Sequence, residues 1–266
     1  MGYRERRSLR NAAESGDVEA AFTLGMRYDA WSHNHNPIHL HSVEWLEERA
    51  RLYLRLAADA GHARAAVQLA FVLARARSEP YARDEDQFWS DEELRYLTAA
   101  AESGHVHAAF IVGAVGLRYS GQLPDTSAAE RYLRQAVDGD HPKAAFKLGE
   151  WLLRQAGRQS EALRYLKLAG ERADEDVDPQ DYIDLARILT RTQRSDIAEP
   201  FVRAALASPR KYSGANYDRE ADWMELLGDV LNRTRRRAEA KEWYESARAR
   251  RTAPKRPDDW PDYDAD

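Results

Sequence analysis

AAESGHVHAAFIVG, residues Ala100 to Gly113, has three other versions in the chain: AAESGDVEAAFTLG from Ala12, AADAGHARAAVQLA from Ala57 and AVDGDHPKAAFKLG from Ala136. A phrase that returns every few dozen residues marks a chain assembled by stacking one supersecondary unit, because a single unit cannot bury its own apolar face. The turn positions Gly16, Gly61, Gly104 and Asp140 are separated by 45, 43 and 36 residues, so the basic unit is about 36 residues and the first two copies carry insertions.

Working outward from the third copy, Leu94, Leu97, Ala100 and Ala101 recur at three- and four-residue steps and predict a helical stripe that ends at Gly104. Gly104, like Gly16 and Gly61, suits the left-handed position after a helix. Ala108, Ala109, Val112 and Gly113 then line one side of a second helix, and such small residues let backbones approach closely. The reading is a tightly packed antiparallel pair. Pro142 is placed at the start of its helix, where a missing N–H is tolerated. The insertions, at about 29–42 (with WSHNHNPIHLH from Trp31) and 77–91 (with SEPYARDEDQFWS from Ser78), are polar, aromatic and proline-bearing, as surface loops are.

Beyond Gly149 the phrase decays while the helical period continues: Ala162, Tyr165, Leu166 and Ala169, then Tyr182, Leu185, Ala186 and Leu189, then Ile197 to Leu206, Ala221 to Leu231 and Ala238 to Ala247. The expected fold is all-α, a right-handed α-α superhelical solenoid of thirteen helices, an N-terminal one followed by six pairs. Residues 1–157 form the regular repeats, 158–250 degenerate ones, and 251–266, with three prolines and five aspartates, an extended tail.

Composition narrows the function. The chain has 266 residues, a formal charge of -5 and no cysteine. Its mean hydropathy is -0.74. The charge gives no global reason to expect nucleic acid, and the hydropathy argues against membrane spans. Without cysteine there is no disulfide framework, thiolate zinc site or cysteine nucleophile. MGYRERRSLR holds no apolar run that could serve as a secretory signal, and Arg6 stands where N-myristoylation prefers Ser or Thr, so a cytoplasmic location is expected. No Walker loop, dinucleotide fingerprint or nucleophile elbow is present, so no enzyme activity, catalytic residue or cofactor is expected.

The phrase, with Tyr96 and Leu97 before it, resembles the junction of Sel-one-like repeats, helix pairs of 36 to 44 residues related to tetratricopeptide repeats. Asp125 to Gly149 resembles a whole such unit, departing where the expected glycine is Asp140 and Gly139 stands one place early. Leu226 to Ala247 is more similar to an ordinary tetratricopeptide unit, with Leu227, Gly228, Leu231, Ala240, Tyr244 and Ala247 at its small and bulky positions. The resemblance implies a scaffold or adaptor that binds a protein or peptide, in a bacterial multiprotein or signalling complex, and brings no catalytic residues.

Four groups of residues are candidates for contact. On the presumed concave face, Glu19 and Thr23, Arg64 and Gln68, His107 and Ile111, and Lys143 and Lys147 vary between copies, each pair at i and i+4 on one helix side. A groove running from acidic to basic would read an extended peptide segment by segment. His33, His35, His39 and His41 lie within nine residues and suggest metal binding, against the reading of an ordinary loop. His62, His105 and His141 follow the turn glycine or its substitute and read as structural. Glu171 to Asp184 holds seven acidic residues but has Pro179 and Leu185 where a calcium loop needs Gly and Glu, so Asp178 is read as a helix cap beside Pro179. Asn232 to Arg256 carries ten Lys or Arg against three Glu. It could touch nucleic acid, an acidic partner or the chain's own aspartate tail, and nucleic acid is the weaker reading because no recognised fold for it accompanies the patch.

Overall fold

Each copy of the phrase closes one helix and opens the next. In the third, Gly104 takes φ +92°, its N–H donates to the Ala101 carbonyl (3.0 Å), and the N–H of His105 reaches back to the Ala100 carbonyl (3.0 Å). These paired bonds satisfy the last carbonyls of the helix and turn the chain in three residues. The same bonds join Gly16 to Ala13 and Asp17 to Ala12, and Gly61 to Ala58 and His62 to Ala57. In the fourth copy Asp140 itself takes the left-handed conformation, φ +59°. Gly139 is there for space, since a Cβ would lie 2.4 Å from a Val106 methyl.

The computed structural model describes residues 3–33, 42–77, 89–118, 126–171, 177–208 and 214–252. They hold thirteen helices and no strand: α1 (Tyr3–Glu14), α2 (Val18–His33), α3 (Val43–Asp59), α4 (Ala63–Ala76), α5 (Asp91–Glu102), α6 (Val106–Arg118), α7 (Thr126–Asp138), α8 (Ala144–Leu153), α9 (Gln159–Glu171), α10 (Pro179–Arg191), α11 (Ser195–Ala207), α12 (Gly214–Arg233) and α13 (Arg237–Thr252). The expected all-α helical-repeat fold is the one observed. Helix starts follow ordinary capping: Ser42, Ser90 and Asp178 each accept a first-turn N–H, and Ser90 forms a reciprocal capping box with Glu93. Pro142 lies one place before the N-cap of α8, which is Lys143, so that helix starts later than its sequence suggests. Residues 253–266, and with them the proposed aspartate tail, lie outside the described residues.

By packing, the chain divides into two units, 1–141 and 142–266. The first holds α1 to α7 around Leu24, Tyr28, Leu54, Leu69, Trp89, Leu97, Phe110 and Leu133; the second holds α8 to α13 around Phe146, Leu166, Phe201, Trp223 and Leu227. The packing boundary at 142 precedes the place near 157 where the phrase decays.

Glycines on α2, α6, α8 and α12 each face the helix that follows. A Cβ on Gly113 of α6 would lie 2.7 Å from Leu133 Cγ and 2.9 Å from the Ala129 carbonyl oxygen, both on α7. Gly25 of α2 meets Leu54 of α3, Gly149 of α8 meets Leu166 of α9, and Gly228 of α12 meets Tyr244 of α13 in the same way. The closest seams therefore join α2 to α3, α6 to α7, α8 to α9 and α12 to α13. In this register α1 stands alone and six pairs follow it.

Turn chemistry changes phase along the chain. Up to α7, the left-handed turns at Gly16, Gly61, Gly104 and Asp140 close odd-numbered helices; from α8 onward, those at Gly157, Gln193 and Arg235 close even-numbered ones. Gln193 and Arg235 repeat the paired bonds of the phrase, Arg194 N–H to the Leu189 carbonyl (2.8 Å) and Arg236 N–H to the Leu231 carbonyl (2.9 Å).

Candidate functional site

In the first unit, α2, α4 and α6 carry the residues that vary between copies of the phrase, and the side chains tie these helices sideways. The Arg64 guanidinium lies 5.2 Å from the centre of the Phe22 ring. Gln68 donates to Asp29 Oδ2 at 2.8 Å, and His107 stacks against Phe71 with ring centres 6.1 Å apart. Each contact runs from one helix of the set to the one before it. Arg64 and Glu19 remain exposed, and Thr23, Gln68 and His107 are half-buried.

Asp29 is the centre of the densest polar contact on this face. It is 6% exposed, and Arg75 pairs with its Oδ1 (2.5 Å) while Gln68 holds Oδ2. A buried carboxylate persists when it is paired and hydrogen-bonded, as here. Neither Asp29 nor Arg75 is in the sequence-derived set. The signal was available: Arg64, Gln68, Phe71 and Arg75 continue one helical stripe beyond the end of the repeated phrase.

Of the three turn histidines, which read as structural, His62 and His105 cap the following helix and His141 packs by its ring. Nδ1 of His62 accepts the Ala65 N–H (3.0 Å), its ring stacks on Phe22 at 4.4 Å, and Nε2 lies 3.3 Å from Glu19 Oε2, which fixes that carboxylate over the turn. His105 Nδ1 accepts the Ala108 N–H at 3.3 Å. His141 stacks on Phe110 at 4.1 Å, with Nε2 3.1 Å from His107 Nδ1.

Burial first, then the nearby His107 and the positive Arg64, hold the His105 imidazole below the ordinary histidine value of 6.5. Its stabilising contribution is complete above that value and is lost as pH falls toward the depressed folded value, because the unfolded chain takes up the proton first. The melting temperature of the wild type is expected to drop between pH 7.5 and 5.5, and His105→Asn, which keeps a capping oxygen, to lose part of that drop. Thermal melts of the two proteins across this range check it; parallel curves would remove His105 as the source.

Ile111 is a correction to the expected contact stripe. It is fully buried, at 0%: the i+4 step from His107 turns inward because the phrase packs α6 on two sides. In the second unit, Lys143 is the uncapped N-cap residue of α8, half-buried, and the Lys147 ammonium lies 5.8 Å from the Phe146 ring.

Of the histidine-rich loop, His33 ends α2, with Nδ1 2.7 Å from the Asp29 carbonyl oxygen; His35, His39 and His41 lie outside the described residues. Among the described residues no cluster of three or more His, Asp or Glu is placed to hold a metal ion. No helix among them is long and apolar enough to cross a membrane. Three arginines of the C-terminal segment are engaged by carboxylates of α11, α12 and α13. Arg236 pairs with Glu199 and Glu239, Arg250 with Glu220 (2.7 Å), and Arg251 with Glu225 and Asp222. Hydrogen bonds donated to Glu225, and then to Asp222, raise Arg251 above the usual guanidinium value. Part of the local excess of positive charge in the sequence is thus met by carboxylates of neighbouring helices.

Residues 182–253 match the tetratricopeptide-repeat family. No curated protein matches the chain by sequence. Among solved structures, a Sel1 repeat protein from Oxalobacter formigenes aligns with TM-score 0.59 and 18% identity over 94% of this chain and 67% of its own. A protective antigen present in uropathogenic Escherichia coli strains, displaying an SLR fold, aligns with TM-score 0.56 and 12% identity over 93% of this chain, which spans about half (52%) of that antigen.

Proposed function

We propose that this chain, which has the Sel1-like repeat fold of the tetratricopeptide superfamily, is a non-catalytic adaptor that binds a protein or peptide, in a bacterial multiprotein or signalling complex. The proposed surface in the first unit is the face of α2, α4 and α6, with Glu19, Thr23, Arg64, Gln68 and His107 as contacts. Lys143 and Lys147 on α8 are proposed as a further basic contact.

The observation that carries this reading is the lateral bracing of that face: Arg64 on Phe22, Gln68 on Asp29 and His107 on Phe71 hold polar and aromatic groups in place before any partner arrives. Side chains already ordered lose less entropy on binding. The exposed charges alternate, Glu19 followed by Arg64, which selects for register more than for bulk affinity.

Partner capture by the full chain, followed by mass spectrometry, tests it with Glu19→Arg/Arg64→Glu and with Lys143→Glu/Lys147→Glu. Each pair is expected to lower retention of the specific partner by about tenfold or more, with melting temperatures near the wild type. Undiminished retention by both variants would remove these residues from the binding surface.

A further inference from the structure

Among the described residues, the large apolar side chains left exposed are Val43, Leu52 and Leu56, at 49%, 43% and 46%, and all three belong to α3. Scattered exposed leucines are ordinary on a folded surface. These are not scattered: Leu52 and Leu56 are one helical turn apart, and Leu52 borders an open groove of about 410 Å³ lined with Glu48, Arg49, Arg51, Arg55 and, from α4, Leu73. An apolar strip beside guanidinium groups is the form taken by helix-in-groove recognition sites, where spaced apolar anchors enter and charge selects the partner.

The arginines are held only loosely. Arg55 pairs with Glu92 at 2.7 Å, both side chains close to half exposed; Arg51 lies 3.9 Å from Glu47, and Arg49 rests on the Trp45 ring at 5.2 Å. The exposed Arg55–Glu92 pair exchanges partners at little cost, and at 3.9 Å the half-buried Arg51–Glu47 pair is a weak one. Three arginines against one glutamate line the groove itself, so the complementary occupant is negatively charged. None of these residues belongs to the face of α2, α4 and α6 described above.

We propose that the exposed face of α3 is a second docking surface, and that its occupant is an acidic amphipathic helix of a partner protein, with leucine-type side chains against Leu52, Leu56 and Leu73 and carboxylates against Arg49, Arg51 and Arg55. The probe is a synthetic amphipathic helix with leucines at i, i+3, i+4 and i+7 and glutamates elsewhere, alongside the same peptide with every glutamate replaced by glutamine, titrated by fluorescence anisotropy into the full chain.

The acidic peptide is expected to bind about tenfold or more tightly than its glutamine form, and to weaken as salt rises. Leu52→Ser/Leu56→Ser is expected to weaken it by about tenfold with melting temperature unchanged, since both leucines are exposed, and Arg49→Glu/Arg51→Glu, at half-buried positions, to weaken it by about tenfold with the chain still folded at the assay temperature. Arg64→Glu, on the other face, is expected to leave it intact. Equal binding of the glutamine peptide, undiminished binding by the leucine variant, or loss on Arg64→Glu would overturn the proposal. So would a peptide of residues 253–266 that binds the face more tightly, or a wild-type dimer that Leu52→Ser/Leu56→Ser dissociates, because the occupant would then be this chain itself.

Discussion

Gly113→Val is expected to destabilise the chain by about 3 kcal/mol or more. The added Cβ would lie 2.7 Å from Leu133 Cγ, which could turn aside, but also 2.9 Å from the Ala129 carbonyl oxygen and 2.9 Å from the Leu133 nitrogen, which are backbone and cannot. The two helices would have to separate, and the loss would spread to the Ala108, Ala109 and Ala129 contacts buried in the same seam. Gly113→Ala separates two competing effects. Alanine favours the helix by roughly 1 kcal/mol relative to glycine, so the clash is the net loss with that gain added back. Urea unfolding of the two variants and the wild type decides it; a Gly113→Ala protein more stable than the wild type by about 1 kcal/mol would mean the seam can open without cost.

Arg77→Ala is expected to cost about 3 kcal/mol. Arg77 closes α4 and binds Glu93 through two hydrogen bonds, Nε to Oε1 at 3.0 Å and Nη2 to Oε2 at 2.7 Å. The Glu93 side chain is only 2% exposed. Without the guanidinium, the carboxylate retains the Ser90 N–H at 2.8 Å as a remaining donor, too little to offset a charge withheld from water. The decisive comparison is Arg77→Ala/Glu93→Gln. Glutamine keeps the reciprocal cap with Ser90 and removes the charge, so the double variant is expected to recover more than half of the loss. Chemical denaturation of the three variants reads this directly; a double variant less stable than Arg77→Ala would show that the arginine acts by packing and not by charge.

The fold was legible wherever the chain repeats itself. The three turn glycines, the alanine stripes and the Asp178 cap are local features, and their physics does not depend on neighbours far along the chain. Two other features depend on distant partners and were not legible. Gly113 looks like a seam residue in the sequence, but only the packing of α7 shows which helix it serves. Ile111 occupies the same phrase position as Thr23, Gln68 and Lys147, all half-buried, and nothing in its own helix signals that it would be fully covered.

The candidate face was legible in part for the same reason. Arg64, Gln68 and His107 were found because they vary against a constant frame, but Asp29, Arg75 and Phe71 fall outside the repeated phrase, where no comparison between copies was possible. The carboxylate partners of Arg236, Arg250 and Arg251 were not legible from the local sequence, since most of them come from α11 and α12.

The phase change in the turns decides where the protein can accept extra sequence. The connections with room for length follow even-numbered helices in the first unit, at 34–42, 77–90 and 119–125, and odd-numbered helices in the second, at 172–178 and 208–213. The three-residue turns after α1, α3, α5, α10 and α12 are each held by two backbone bonds and a left-handed residue, and a single added residue breaks both bonds. An epitope, a fluorophore-bearing segment or a protease site is therefore best grafted after α2, α4 or α6, or after α9 or α11, while the same graft at Gly61 or Gln193 would tear the array apart.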